Sequence, residues 1–348
     1  MTASILILSN LAQRRDWLIQ RLIFLGQNGH EGEIIVGVWG GHEQMSFVEE
    51  ACRPFLGKSR LIMLAQDGEL FVTDRMLELA QRATSPFVAA QGDDDFFFPA
   101  AVAKSAEILA NDPSVLCAQG RCLNLNLTVY PASLKFGFFP VWEALEDDTV
   151  ERYCNLMKHY SFTWHAVYRQ TEFIERIKIM ELVKNNTDDL IFFEIIGDLY
   201  SVIKGKVFIF DEMYIVRGEH ENNGAKLYRR GGIKYDMPPY MLLSPAFTAS
   251  YKYFEEKFLQ LFASVGVDTA SEDVLRKILD GMMSCLGRLF YKIRDRHDAG
   301  ELEFQAKVRA SAPEISSSLK MIRASHDVAQ RAIAQGTAPV IIIGAQTS

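Results

Sequence analysis

Asp93-Asp94-Asp95, followed by Phe96-Phe97-Phe98-Pro99, is the stretch of this chain whose residue types point most directly to chemistry. Three adjacent carboxylates repel one another, and they stay ionised together when a hard cation or several hydrogen-bond donors compensate them. Mg2+ and Mn2+, which prefer oxygen ligands, suit such a cluster. The competing reading is a solvated acidic turn in front of a helix that opens near Pro99, where acids are favoured in any case. A second acidic pair, Asp188-Asp189, stands after Thr187 at the head of an apolar stretch reaching Ile203, and Asp is a preferred helix cap.

The elements that position the triplet follow from the apolar pattern. Ile5–Leu8 reads as a short buried strand, and the spacing of Trp17, Leu18, Ile19 and Leu22–Leu25 predicts an amphipathic helix after it. Glu33–Trp39 and Arg60–Ala65 read as two more strands, a helix is expected over about 71–83, and Ser85-Pro86 stops it before a strand at Phe87–Ala90. The triplet therefore sits at the carboxyl end of a strand, which is where open α/β sheets bind ligands. The pattern continues with a helix near 100–110 and strands at Val115–Gln119, Ser161–Tyr168, Lys206–Phe210 and Met213–Val216, with the 187–203 helix between. Alternation of this kind implies an α/β fold, a mostly parallel sheet flanked by helices on both faces. Beyond about 238 the character changes to helical stretches near 247–264, 271–295 and 314–335, so a helical C-terminal extension (238–348) is expected after a main domain (1–237). The stripe Leu275, Ile278, Leu279, Met282, Met283 and Leu286 is the kind that packs into a core or meets a second copy of the chain.

Composition sets outer limits. The 348 residues are 49% hydrophobic and 23% charged, ordinary for a globular protein, and the net charge of −7 argues against a broad nucleic-acid surface. Five scattered cysteines with no Cys-x-x-Cys pair suit a reducing compartment rather than a disulfide framework or a zinc site. The N-terminal apolar run is too short for a signal peptide, and no stretch approaches the ~18 apolar residues of a membrane span. The expectation is a cytoplasmic protein, with peripheral attachment at the inner face of a membrane compatible with it.

Ser85-Pro86-Phe87-Val88, running through Asp93-Asp94-Asp95 to Pro99, resembles the Ser/Thr-Pro-Tyr/Phe-Val strand and DxD element of GT-A-fold nucleotide-sugar glycosyltransferases, in particular the family-2-like group. Leu8-Ser9-Asn10 with Arg14 is similar to the first strand and turn of that group, Glu33–Val38 to its second strand, and the likeness covers about residues 4–220. The resemblance implies a GT-A (Rossmann-like) fold, with a donor half of about 1–120 and an acceptor half of about 121–237. The activity it implies is transfer of a sugar from a nucleoside-diphosphate sugar to an acceptor hydroxyl, in polysaccharide or glycoconjugate biosynthesis.

Roles for individual residues follow from the same resemblance. Mn2+ or Mg2+ would be held by Asp93 and Asp95 with His220 from a late loop, and the donor by Ser9, Asn10, Arg14, Trp39, Arg75, Asp93 and Asp94. Arg15 and Arg217 are further phosphate candidates. An inverting transfer needs a general base beside the acceptor hydroxyl; Asp188 or Asp189 occupies the matching position, with Glu194 in reserve. Trp164 and His165 lie on the strand that would contact a carbohydrate, lipid-linked or protein acceptor. The chain departs from the group at Trp39, where an acid is common, and at Gly92, onto which the first acid of the Asp-x-Asp-Asp form falls, so which aspartate binds the cation stays open. Two other readings compete. A nucleotidyltransferase of related fold would need a glycine-rich loop that Ser9–Arg15 lacks, whereas a non-catalytic nucleotide- or sugar-binding module is compatible with Trp39.

Overall fold

The computed structural model describes residues 2–126, 135–139, 141–159, 162–185, 190–219, 245–291 and 312–335. The strands are β1 (Ser4–Ser9), β2 (Glu33–Val38), β3 (Arg60–Ala65), β4 (Phe87–Gly92), β5 (Phe96–Phe97), β6 (Val115–Asn126), β7 (Lys135–Phe139), β8 (Val167–Arg169) and β9 (Lys206–Glu219). They form one sheet in the order β3-β2-β1-β4-β8-β6-β9-β5, with β7 beside β6. Strands β1 to β4 are mutually parallel, and β8 runs against both β4 and β6, so β6 returns to the common direction and β9 keeps it. Six strands thus share one direction, as expected, while β5, β7 and β8 oppose it.

The helices are α1 (Leu11–Gln27), α2 (Met45–Cys52), α3 (Val72–Arg82), α4 (Pro99–Asn111), α5 (Thr149–His159), α6 (Gln170–Lys184), α7 (Leu190–Lys204), α8 (Pro245–Ser264), α9 (Glu272–Tyr291) and α10 (Ala312–Gln335). Alternate residues of each strand point to opposite faces. Accordingly Leu6, Ile35, Val88 and Ala90 enter one core, with Leu79, Tyr153, Phe173 and Phe192 from α3, α5, α6 and α7. Ile5, Ile7, Ile34, Val36 and Ala89 enter the other, with Leu22, Val48 and Val102 from α1, α2 and α4.

Helices α8, α9 and α10 complete these cores. Phe254, Phe258 and Phe262 of α8 and Ile278 and Met282 of α9 are buried in the first, whereas Ala329 and Ile333 of α10 are buried in the second against α1. Gly281 lets α9 approach α5 closely, because a Cβ there would lie 2.9 Å from the Tyr153 ring, whose hydroxyl donates to Ile278 O at 2.9 Å. Each large apolar side chain removed from water in this way contributes about 1.5–3 kcal/mol.

Two expectations are corrected. Ser161–Tyr168 is not a strand over its length: a turn covers Trp164 and His165, and β8 starts only at Val167. The two closing strands are one, β9, which passes through the exposed Asp211-Glu212 pair without a turn. Its register with β6 shifts around Gly120, where a Cβ would meet Glu212 O at 2.4 Å, so the irregularity is absorbed in the ladder rather than in a loop.

Candidate active site

Asn10 ends β1 and caps α1, its side chain accepting from Ala12 N at 3.1 Å. The helix therefore starts at the carboxyl end of the sheet and aims Arg14 and Arg21, seven residues and about two turns apart, at the neighbouring end of β4. There Asp93-Asp94-Asp95 forms a tight turn closed by Asp95 N donating to Gly92 O at 3.2 Å. The aromatic run beyond it anchors the turn: Phe96 and Phe97 pair with Val216 and Ile215 of β9, and Phe24 packs edge-on against Phe96 and Phe98.

Each aspartate has a different environment. Asp93 is buried, with Oδ2 accepting from Ser9 Oγ at 2.7 Å and Oδ1 paired with Arg14 Nη1 at 2.7 Å. Asp94 is the most exposed; its Oδ2 takes Arg14 Nη2 at 2.6 Å, and its backbone carbonyl accepts from Arg21 Nη2 at 2.8 Å. Asp95 is buried again, with Oδ1 accepting from Gly218 N at 3.3 Å, Oδ2 lying 3.5 Å from His165 Nε2, and its carbonyl accepting from Gln91 Nε2 at 2.6 Å. Asp94 and Asp95 both crowd Gly92. A Cβ built on Gly92 would stand 2.6 Å from Asp94 Oδ1 and 2.8 Å from Asp95 Oδ2, so both carboxylates close over a position that only glycine leaves open.

Burial dominates the electrostatics. It raises the carboxyls of Asp93 and Asp95 above the ordinary range, partly opposed by Arg14 at Asp93 and by Arg217 and Arg21 at Asp95. Burial also works against the charge of Arg14, but Asp93 and Asp94 outweigh it and hold that guanidinium above its usual value. Arg21 falls to about 10 because burial outweighs the opposing fields of Asp94, Asp95 and Asp93, and its guanidinium lies 3.6 Å from the Phe96 ring centre. His165 is pushed down to about 3 by burial and by the Arg217 field, so it is neutral. Since its Nδ1 faces the Ala90 carbonyl at 2.9 Å, that nitrogen carries the hydrogen and donates, which leaves the Nε2 lone pair toward Asp95.

The residues singled out from sequence are brought together only in part. Ser9, Arg14, Asp93, Asp94, Asp95 and His165 are brought together at one point, with Asn10 shaping the turn behind them. His165 is 5% exposed and lies beneath the aspartate turn rather than on a surface. Trp39 and Arg75 form a second cluster at the ends of β2 and β3: the Arg75 guanidinium stacks 4.7 Å from the Trp39 ring centre and donates to Gly68 O at 2.6 Å and Asp67 O at 3.2 Å. Trp164 is half-buried against Phe173 and the Arg176 guanidinium, and Glu194 is half-buried in α7. Arg15 pairs with Asp16, and Arg217 places its guanidinium over Phe162. Asp188, Asp189 and His220 lie outside the described residues.

Sequence reasoning missed Arg21 and Gln91, which hold the backbone of the turn. Arg21 had one available signal, its seven-residue spacing from Arg14 on the same helix face. Among the described residues no group of three or more His, Cys, Asp and Glu side chains is arranged to hold a metal ion, and no helix is long and apolar enough to cross a membrane.

No protein-family model matches the chain. No curated protein matches it either. Among solved structures it is similar to S. aureus TarS residues 1–349, alone (TM-score 0.47), with UDP (0.47) and with UDP-GlcNAc (0.49). In each case the identity is 12%, covering 97% of this chain and 92% of the other.

Proposed function

We propose that this chain is a GT-A-type glycosyltransferase that moves a sugar from a nucleoside-diphosphate sugar to an acceptor hydroxyl with inversion. The observation that carries the reading is the Asp93-Asp94-Asp95 turn at the carboxyl end of a central parallel strand, with Asp94 its most exposed carboxylate and Arg14 beside it. Both oxygens of Asp93 are engaged by Ser9 and Arg14, so the cation assignment moves from Asp93 to Asp94. Two hard oxygen donors fit Mg2+ or Mn2+, which commonly take one or two carboxylates and complete their shell with phosphate oxygens and water. His220 is the proposed additional ligand. When bound, such a cation takes up the negative charge that develops on a leaving diphosphate.

The protein's own groups then have distinct tasks. Ser9, Arg21 and Gln91 hold the turn from three sides, and the Trp39 ring with Arg75 offers an apolar wall at the ends of β2 and β3 where a nucleobase can stack. Asp188 or Asp189, immediately before α7, is the proposed base that removes the acceptor proton as its oxygen attacks the anomeric carbon and the diphosphate departs. The nucleotidyltransferase alternative loses ground because the β1–α1 turn is built on an asparagine cap, not a glycine-rich phosphate loop.

The test is a panel of UDP, GDP, CDP, dTDP and CMP with and without Mn2+, read by thermal shift and calorimetry on the wild type, Asp95→Asn and Asp94→Ala. One diphosphate is expected to stabilise the wild type in the presence of Mn2+, by about 2.7 kcal/mol at a hundredfold excess over Kd, and both variants are expected to lose that effect. With the donor so identified, Asp189→Asn or Asp188→Asn is expected to slow transfer while leaving nucleotide binding intact. If no nucleotide binds at millimolar concentration the proposal fails.

A further inference from the structure

The sheet ends on one side at β5, which is two residues long, and on the other at β3, which runs for six. Arg60 N donates to Gly32 O at 3.1 Å, and Gln66 N, just past the strand, donates to Val38 O at 2.7 Å, so the even-numbered residues bond inward to β2. Leu61, Met63 and Ala65 therefore turn their N–H and C=O groups outward. Among the described residues no backbone group pairs with that outer edge. Burial agrees with this placement: β2 is buried along its whole length, whereas Leu61–Leu64 of β3 are half-buried and Ala65 is exposed. Edge strands are ordinarily blunted by charge, proline or a bulge. Leu61–Ala65 has no charged residue, no proline and no glycine, and its register with β2 is unbroken.

The charges at the two ends of this edge select what covers it. Lys58 and Arg60 precede the apolar run with side chains 77% and 63% exposed, paired with Glu31 and Glu33 of their own chain at 2.8 Å. The exposed Asp67 and Glu69 follow the run. A second β3 laid parallel would set like charges side by side, whereas an antiparallel one sets the basic start of each strand beside the acidic end of the other. With a two-fold axis at Met63, the outward residues match one another. Met63 meets its own copy and Leu61 meets Ala65, each pair exchanging both N–H···O=C bonds, with Ile62 opposite Leu64 between them. Lys58 then stands opposite Gly68, between Asp67 and Glu69. Leu61 and Met63 border one core and Ile62 and Leu64 the other, so the pairing covers apolar surface on both faces of the sheet.

The geometry points to β3 as an interface that pairs with β3 of a second copy of this chain, antiparallel and two-fold about Met63, joining two sheets into one. This inference stands apart from the chemistry proposed above. A single strand pair buries less than the roughly 1,200 Å2 of a standard interface, so the dimer is one that dissociates on dilution.

The experiment is sedimentation velocity over about a hundredfold range of concentration, joined to amide hydrogen exchange at both ends of the range. Wild-type protein is expected to pass from monomer to dimer, with exchange at Leu61, Met63 and Ala65 slowed as it does so. Ala65→Pro removes an outward N–H and takes nothing from the inward ladder, so it is expected to stay monomeric and to melt like the dilute wild type. Lys58→Glu and Glu69→Lys are each expected to weaken the dimer about tenfold, because the two-fold axis repeats each change, and the double variant is expected to recover it. That series and the exchange decide the matter should Ala65→Pro fail to fold. A wild type that is monomeric throughout, a dimer that persists in Ala65→Pro, or a dimer that leaves the three amides unprotected overturns the interface. A double variant no tighter than the single ones overturns the antiparallel register.

Discussion

Replacing Gly92 by alanine perturbs the site through one added carbon, and the structure sets the size of the effect. The new Cβ would lie 2.6 Å from Asp94 Oδ1, 2.8 Å from Asp95 Oδ2 and 3.3 Å from Asp95 Cγ, whereas ordinary contact begins near 3.4 Å. Each oxygen must therefore retreat by roughly 0.6–0.8 Å, in a region where side chains are tightly interlocked. Asp95 has little room to do so, since it is 5% exposed and Gly218 N holds its other oxygen; Asp94 is tied to Arg14. Overpacking of this kind typically costs about 1–3 kcal/mol. If about 2 kcal/mol of that falls on the cation-competent arrangement, Mn2+-dependent nucleotide affinity drops about thirtyfold. The assay is a calorimetric titration with Mn2+ present, paired with a melting curve expected to fall by a few degrees. Gly68→Ala is the control, because a Cβ there meets nothing closer than Trp39 O at 3.5 Å, and it is expected to melt like the wild type. Gly92→Ala that binds nucleotide and melts as the wild type does would refute the claim that Asp94 and Asp95 close over this position.

Two further predictions concern the support of the site. His165 is neutral when folded because burial depresses it to about 3, whereas in the unfolded chain it titrates near 6.5, so the unfolded state binds the proton first and stability is lost as pH falls. Between pH 7.5 and 5.5 the loss due to this group is about 1.4 kcal/mol, and urea unfolding should show it in the wild type but not in His165→Gln; equal pH dependence of the two would exclude the effect. Asp198 accepts from Thr163 N and Oγ1 at 3.0 and 2.6 Å and lies 3.5 Å from Nη2 of the fully buried Arg176. Asp198→Asn leaves that guanidinium without its carboxylate and is expected to destabilise by about 3–5 kcal/mol in denaturant; a loss under about 1 kcal/mol would mean that Asp198 does not compensate Arg176.

The N-terminal half of the sheet was readable because parallel strands covered on both faces are continuous apolar runs: β1, β2 and β3 announce themselves as Ile-, Val- and Leu-rich segments and β4 as the apolar run Phe87–Ala90, with breakers between. The aspartate turn was readable for the same reason, its place following from the strand before it. Elsewhere the pattern hides. Helix α6 was missed because its apolar residues run nearly all round it: Phe173, Ile177, Met180 and Val183 are buried in the core, Ile174 and Ile179 pack half-buried against it and Leu182 is exposed, so no single stripe marks it. Trp164 and His165 read as strand residues because aromatic and β-type residues surround them, yet Asp198, far along the chain, pins Thr163 into a turn there. That Ser9 and Arg14 capture both oxygens of Asp93, so that the proposed cation ligands are Asp94 and Asp95, is a matter of distances that no spacing encodes.

The two cores closed by α8, α9 and α10 bear on how the chain is made. During synthesis the last strand of the sheet, β9, is finished at Glu219, while the residues that seal the faces, Phe254 to Met282 on one side and Ala329 to Ile333 on the other, come later. At ordinary translation rates that interval is on the order of ten seconds, during which the apolar surfaces of α5, α7 and α1 that these helices cover stand open beside the ribosome. The nascent protein is then a natural client for chaperones, and a ribosome stalled after β9 should yield an aggregating species rather than a smaller folded protein.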